Sequence, residues 1–329
     1  MTELSKMEQR NGGLCSGRRR RQTRWFQSGG VVTVLMLALS AFAPSCGFKA
    51  LAAETVVDAS GRTVATGPGT RILTLGSDVT DIVDALGAGE RIIAVDRGSK
   101  YPASVAQKPN VGYRRQLSAE GLVALRPDLI LAAEDSGPPE AIEVLKSLAI
   151  PIVLVPEDNS PQGIDHKITL IAASLHLEDK GRKVSRQVLD AFQAAADLAA
   201  KMPAERRKKV VFFHGLVRLS AAGAGTAADA IIRYAGGINP MAVVQGYKAA
   251  SEEKLIEMAP DVILMMSDGK GGPTAEQVFA TRALSATPAA KAKALIVLDG
   301  AYMVGFGPRT ADAIRDLAQA LYPETAGAD

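Results

Sequence analysis

The chain has 329 residues, 47% hydrophobic, 22% charged and only 5% aromatic; that composition excludes a disordered chain. Its net charge of +3 owes much to an N-terminal cluster of arginines (Arg18, Arg19, Arg20, Arg21 and Arg24), so the remainder is close to neutral or slightly acidic and nothing points to a polyanion such as nucleic acid as partner. Both cysteines, Cys15 and Cys46, also lie near the start, so the chain beyond them has no disulfide, thiolate metal site or cysteine nucleophile.

Residues 1–53 have the three parts of an export signal. An arginine-rich stretch comes first, and an apolar run over residues 31–42 follows. Small residues then offer a cleavage site at Ala50, Leu51 and Ala52, ahead of Ala53 and Glu54. The apolar run is shorter than the ~20 residues a spanning helix needs. Cys46 follows Ala43, Pro44 and Ser45, a poor match to a lipid-attachment pattern. The expectation is a cleaved signal and a soluble periplasmic protein.

From Thr70 onward, short apolar strands alternate with helices. Residues 71–76 read as a buried strand, with Asp78 or Thr80 as cap of the helix that follows. Residues 91–96 form the next strand. A helix from Ser118 stops at Arg126 and Pro127, a strand starts at Asp128, and a helix over 138–148 precedes a strand at 150–156. Such alternation implies a parallel sheet covered on both faces. From about Gln162 to Met202 the pattern becomes two consecutive helices, the second of roughly twenty residues, a stiff spine between two halves. After Pro203 the alternation resumes and closes with a helix over 310–321. Both halves contain an element in which an acidic residue opens a helix that ends in Pro-Asp before a strand: residues 119–133 and 251–266. The roughly 275 residues beyond the signal exceed one ordinary core, in keeping with two lobes of one plan.

Catalytic chemistry finds little support. The glycine-rich stretch over 221–229 lacks the lysine and serine of a phosphate-binding loop and reads as a close-packing turn. The three histidines, His166, His176 and His214, include no pair at zinc-ligand spacing, and His166 and His176 fall in the polar linker helices. A nucleophile, base and acid are hard to assemble from this inventory.

The informative segment is residues 101–127. Asn110, Val111 and Gly112 form a turn that presents Tyr113, and Arg114 and Arg115 follow. Tyrosine is an axial ligand of ferric haem. A phenol titrates near pH ~10 in water, so a phenolate at neutral pH needs ferric iron and a nearby cation. Arg115, two residues on in an extended segment, lies on the same side as Tyr113 and supplies that cation or holds a propionate. Arg114 then points away or contacts the other lobe. Spacing alone leaves Tyr113 open between this role and that of an ordinary loop tyrosine.

Several stretches resemble the periplasmic haem-binding proteins of bacterial haem-uptake ABC transporters. They are Tyr101-Pro102, residues 110–131, Ser136-Gly137-Pro138-Pro139, residues 225–239 and the closing Gly-Phe-Gly-Pro-Arg-Thr at 305–310. The resemblance implies an α/β fold of two Rossmann-like lobes with parallel sheets joined by a single long backbone helix, the plan of metal-, cobalamin- and siderophore-type solute-binding proteins. It divides the chain into signal peptide (1–53), N-terminal lobe (54–162), linker helices (163–202) and C-terminal lobe (203–329). It makes Tyr113 the axial ligand of ferric haem b, the transported cargo, supported by Arg115. His214 is the one histidine available as a second ligand from the second lobe, although Leu216 stands where a second glycine is expected. Phe213, Met241, Tyr247 and Tyr302 are cleft-lining choices, each equally readable as core.

Glu120 and Glu253, matched in the two Pro-Asp elements, are expected to dock on an inner-membrane ABC permease with its ATPase. An outer-membrane haem receptor would act upstream, and the protein would work as a monomer. Two other readings stay open: a ferric-siderophore or cobalamin binder of the same fold, and a periplasmic α/β enzyme.

Overall fold

A computed structural model describes residues 54–148, 150–267 and 271–325. The signal peptide and cleavage site expected within 1–53, and Cys46, lie outside the described residues.

The first half opens with an antiparallel hairpin, β1 (Thr55–Val57) and β2 (Thr63–Ala65). A parallel four-stranded sheet follows: β3 (Ile72–Leu75), β4 (Ile92–Val95), β5 (Leu129–Ala133) and β6 (Ile152–Val155), in the order β4-β3-β5-β6. The helices between are α1 (Ser77–Ala85), α2 (Ala119–Ala124) and α3 (Pro139–Ser147). The strands are apolar without alternation because both faces are covered. Leu73, Leu75, Ile130, Ala132, Ile152 and Leu154 face one core, while Ile72, Leu129, Leu131, Val153 and Val155 face another. Neither Asp78 nor Thr80 caps α1; Gly76 holds that place. Both side chains are buried and point into the fold. Asp78 pairs with Lys167, and Thr80 shares hydrogen bonds with Thr74 and Ser99.

Two helices follow, α4 (Pro161–Ser174) and α5 (Glu178–Ala200). The 23 residues of α5 make a rod about 34 Å long. Gly181 lets α4 and α5 meet closely: a Cβ there would come within 2.5 Å of the Ala172 Cβ. Val188, Phe192 and Ala195 of α5 join the core that faces β3 and β5.

The second half holds a five-stranded sheet: β7 (Val210–Phe213), β8 (Ser220–Ala222), β9 (Tyr247–Ala249), β10 (Val262–Ser267) and β11 (Leu295–Asp299), in the order β11-β10-β7-β8-β9. Strands β11, β10 and β7 are parallel. Strands β8 and β9 add an antiparallel edge. They are three residues each, too short for periodicity to reveal. The helices are α6 (Ala227–Tyr234), α7 (Glu252–Met258), the short α8 (Ala275–Phe279), α9 (Arg282–Ser285), α10 (Pro288–Ala292) and α11 (Gly300–Val304), and α12 (Thr310–Leu321), which packs along α5. The core that lines α4 and α5 takes in Val210, Phe212, Val262 and Leu264 as well, so the spine is glued to both sheets. None of the described helices is long and apolar enough to cross a membrane.

The two Pro-Asp elements are built alike. Ser118 and Ser251 cap α2 and α7, each accepting a 3.2 Å bond from the backbone three residues on. Arg126 and Ala259 then turn the chain through the left-handed region. Asp128 accepts the Thr70 and Arg71 amides ahead of β3, and Asp261 accepts the Lys209 amide ahead of β7.

Candidate functional site

The C-terminal ends of parallel strands leave loops free to carry ligand-binding side chains. Tyr113 is placed by such a loop. Beyond β4, Val95 donates to the Pro109 carbonyl and accepts from Val111, and Arg97 donates to the Gly112 carbonyl at 2.8 Å. Asn110 Oδ1 accepts the Gly112 amide at 2.8 Å, and Gly112 has a φ of 90°, which a side chain would resist. On its other flank the loop is tied to the turn after β5. Gly137 donates to the Arg114 carbonyl, and Leu117 donates to the Gly137 carbonyl at 2.8 Å.

Residues 113–116 form a turn and not an extended segment, closed by the Gln116 amide on the Tyr113 carbonyl. The two side chains meet nonetheless: Arg115 Nη1 donates to Tyr113 Oη at 3.0 Å. Arg97 lies over the Tyr113 ring, 5.3 Å from its centre. The phenol oxygen and its ring face therefore both sit against cations. Arg114 neither points away nor reaches the other lobe. Its Nε and Nη2 grip the Asp135 carboxylate at 2.7 Å each, and Nη2 also meets Glu157 at 2.8 Å. Asp135 takes Arg115 Nη2 as well. Burial alone would raise the Asp135 carboxyl, but Arg114 and then Arg115 hold it below the usual range. Burial and the neighbouring Asp135 raise Glu157 to about 7, against the pull of Arg114.

The second lobe presents His214, just past the end of β7. Its ring lies 4.5 Å from that of Tyr247 on β9 and 5.2 Å from that of Phe212, centre to centre. Burial lowers its pKa, and the charge of Arg115 lowers it further. Burial raises the Tyr247 phenol, while Arg115 opposes the rise. The guanidinium beside Tyr113 thus acts electrostatically on both rings of the opposite lobe. Tyr113, Arg115 and Arg97 stand on the first lobe and His214 and Tyr247 on the second, and the Arg115 charge bears on both of the latter rings.

The structure places the remaining lining choices differently from one another. Met241 is 3% exposed and packs with Phe213 in the core on the far side of the second sheet. Its position in the turn after Pro240 hid this, because single residues in turns carry no periodicity. Tyr302 donates to Asp316 at 2.8 Å, and burial and that carboxylate raise its pKa. It lines a cavity of about 330 Å³ with Lys100, Tyr101, Asp299, Ala301 and Arg309. His166 and His176 are exposed, His176 paired with Glu54. The glycine-rich loop before α6 is structural: Thr226 caps the helix, accepting from Asp229 and donating to Gly223.

Glu120 and Glu253 are both exposed, each the second residue of its helix. Among the described residues, no cluster of three or more His, Cys, Asp or Glu side chains could hold a bare metal ion. Sequence reasoning missed Arg97 and Asp135. Their signal was position: each lies two residues past a buried parallel strand.

The family model for "Periplasmic binding protein" matches residues 72–302. Among solved structures, the periplasmic heme-binding protein BhuT, in complex with two hemes, is 36% identical, with a TM-score of 0.72 over 77% of this chain and 98% of that one. The periplasmic heme-binding protein HutB of Vibrio cholerae is 35% identical, with a TM-score of 0.69 over 78% of this chain and 100% of that one. The vitamin B12-binding protein of Vibrio parahaemolyticus is 27% identical over 208 residues, 62% of this chain and 73% of the relative. With two α/β lobes on a helical spine and a family match over most of its length, the chain belongs to the periplasmic binding protein family.

Proposed function

We propose that this protein binds ferric haem in the cleft between its lobes, in the periplasm, and delivers it to an inner-membrane ABC importer. The observation that carries this reading is the 3.0 Å hydrogen bond from Arg115 to Tyr113 Oη. A phenolate that binds iron is stabilised further by a donor on the same oxygen, and this geometry provides one. Tyr113 is the axial ligand on this reading, and His214 is the second ligand or the partner of the opposite face. Tyr247 and the stem of Arg115 offer flat surfaces to a porphyrin. The likeness to two periplasmic heme-binding proteins supports the same cargo.

Residues 1–53 serve as the signal peptide on this reading, 54–162 and 203–329 as the lobes, and 163–202 as the linker. Glu120 and Glu253 meet the permease, to which the ATPase is attached; a haem receptor in the outer membrane supplies the cargo, and the protein works as a monomer. Similarity to a vitamin B12-binding protein favours a second reading, cobalamin as cargo.

The test is a haemin titration of the purified protein followed by visible absorption, with Tyr113→Phe alongside. Saturable binding with a ferric tyrosinate spectrum, lost in the variant, is expected. No saturable change in the wild type overturns haem and moves the screen to cobalamin and ferric siderophores.

A further inference from the structure

We infer that Asp135 is a positioning residue for cargo binding: it holds Arg115 on the Tyr113 oxygen and so sets how firmly that tyrosine grips iron. The inference rests on the haem reading above and adds a determinant of affinity outside the cleft wall itself.

The argument starts from two adjacent arginines. Arg114 and Arg115 repel each other, and a long, exposed arginine side chain has many rotamers to sample. Something must select the one rotamer that places Nη1 on Tyr113. Asp135 does so by sitting between the two guanidiniums. It grips the fork of Arg114 with both oxygens and takes Arg115 Nη2 on one of them. With Nη2 held there, the other amino group of Arg115 is left to donate to Tyr113 Oη. Glu157 cannot substitute, because its bond goes to Arg114 alone.

The anchor is itself rigid. Strand β5 is buried along its length, and Asp135 stands two residues past its end, in a turn closed by the Ser136 amide on the Ala133 carbonyl at 2.9 Å. Main-chain bonds between Gly137 and Arg114, and between Leu117 and Gly137, lock that turn to the tyrosine loop. Charge follows the same logic. Two cations share Asp135, and Glu157 leans on the buried one, so Arg115 keeps uncompensated positive charge toward the cleft.

The experiment is a double-mutant cycle in haemin affinity and in the rate of haem loss to apomyoglobin. It compares wild type, Asp135→Asn, Arg115→Met and the double variant, with visible spectra and thermal unfolding recorded for each. Asp135→Asn is expected to weaken haemin binding about tenfold, speed haem loss and shift the tyrosinate charge-transfer bands. In the Arg115→Met background the same change is expected to do nothing further, because the residue acts through Arg115. Equal losses in both backgrounds, or no loss in either, overturn the inference while leaving the haem reading intact. Failure of the wild type to bind haemin overturns both. Should Asp135→Asn not fold, Asp135→Glu replaces it in the same cycle, with a smaller loss expected in the wild-type background and none with Arg115→Met; equal losses again overturn it.

Discussion

Arg309 reaches across the seam between the lobes and holds Asp81 with both Nε and Nη2, each 2.7 Å from the same carboxylate oxygen. Its guanidinium also lies 4.1 Å from the centre of the Tyr101 ring and 5.2 Å from that of Tyr302. One side chain of the second lobe thus touches α1 and the loop after β4 of the first. The resemblance at Gly-Phe-Gly-Pro-Arg-Thr acquires a physical content here: the segment is a clasp.

The clasp is expected to respond to pH. Burial outweighs Arg309 and raises the Asp81 carboxyl to about 7. The folded state therefore holds a proton that the unfolded chain releases near 3.8. Stability from this group is fully present below that value and is lost as pH rises through about 7. Glu157 acts with the same sign but is more exposed, so its part is smaller. Thermal unfolding is expected to show Tm falling between about pH 4 and pH 7 and levelling off above, with a flatter slope in Asp81→Asn. An Asn variant with the wild-type slope would show that other groups set it.

Lys167 of α4 is buried at the same seam. Its Nζ lies 2.6 Å from Asp78 and 3.3 Å from the Phe306 carbonyl, so it joins the spine to both lobes. Lys167→Met strands a buried carboxylate and is expected to cost about 3–5 kcal/mol in urea unfolding. Adding Asp78→Leu should recover much of that loss, because it removes the uncompensated charge. A double variant as unstable as the single would instead assign the loss to packing.

The α4–α5 contact admits no side chain at Gly181. Gly181→Val is expected to lower stability by about 1–3 kcal/mol through overpacking against Ala172. Ala172→Gly in the same chain should restore part of it. Both shifts are readable from the midpoint of chemical denaturation.

Docking is expected to separate from cargo binding. Glu120→Ala and Glu253→Ala should leave haemin titrations unchanged, since both side chains are exposed on helix starts and neither bonds to Tyr113 or Arg115. Each should cut haem uptake into permease-containing proteoliposomes by about tenfold, and the pair should abolish it. Uptake that survives the double change would remove both residues from the interface.

Much of this architecture can be read from the chain alone. The strands ending at Leu75, Val95 and Ala133 are apolar runs between turn signals, and burial on both faces demands that pattern. The helix over Thr310–Leu321 and the long α5 follow from spacing. Tyr113 and Arg115 were legible as a pair because they are two residues apart and need only a local turn to meet.

Other features depend on distances no local pattern encodes. Asp135 meets Arg115 because β5 lies two places from β4 in the sheet and its turn is bonded to the tyrosine loop. His214 feels the charge of Arg115 because the core along α4 and α5 holds both sheets together. Met241 and Phe213 pack inside because β7 turns that face toward the outer core. Local sequence dictates which residues avoid water, since burial is a property of each segment's period. Which charges end up sharing one carboxylate is decided by strand order and by the spine, and those exist only in the folded chain.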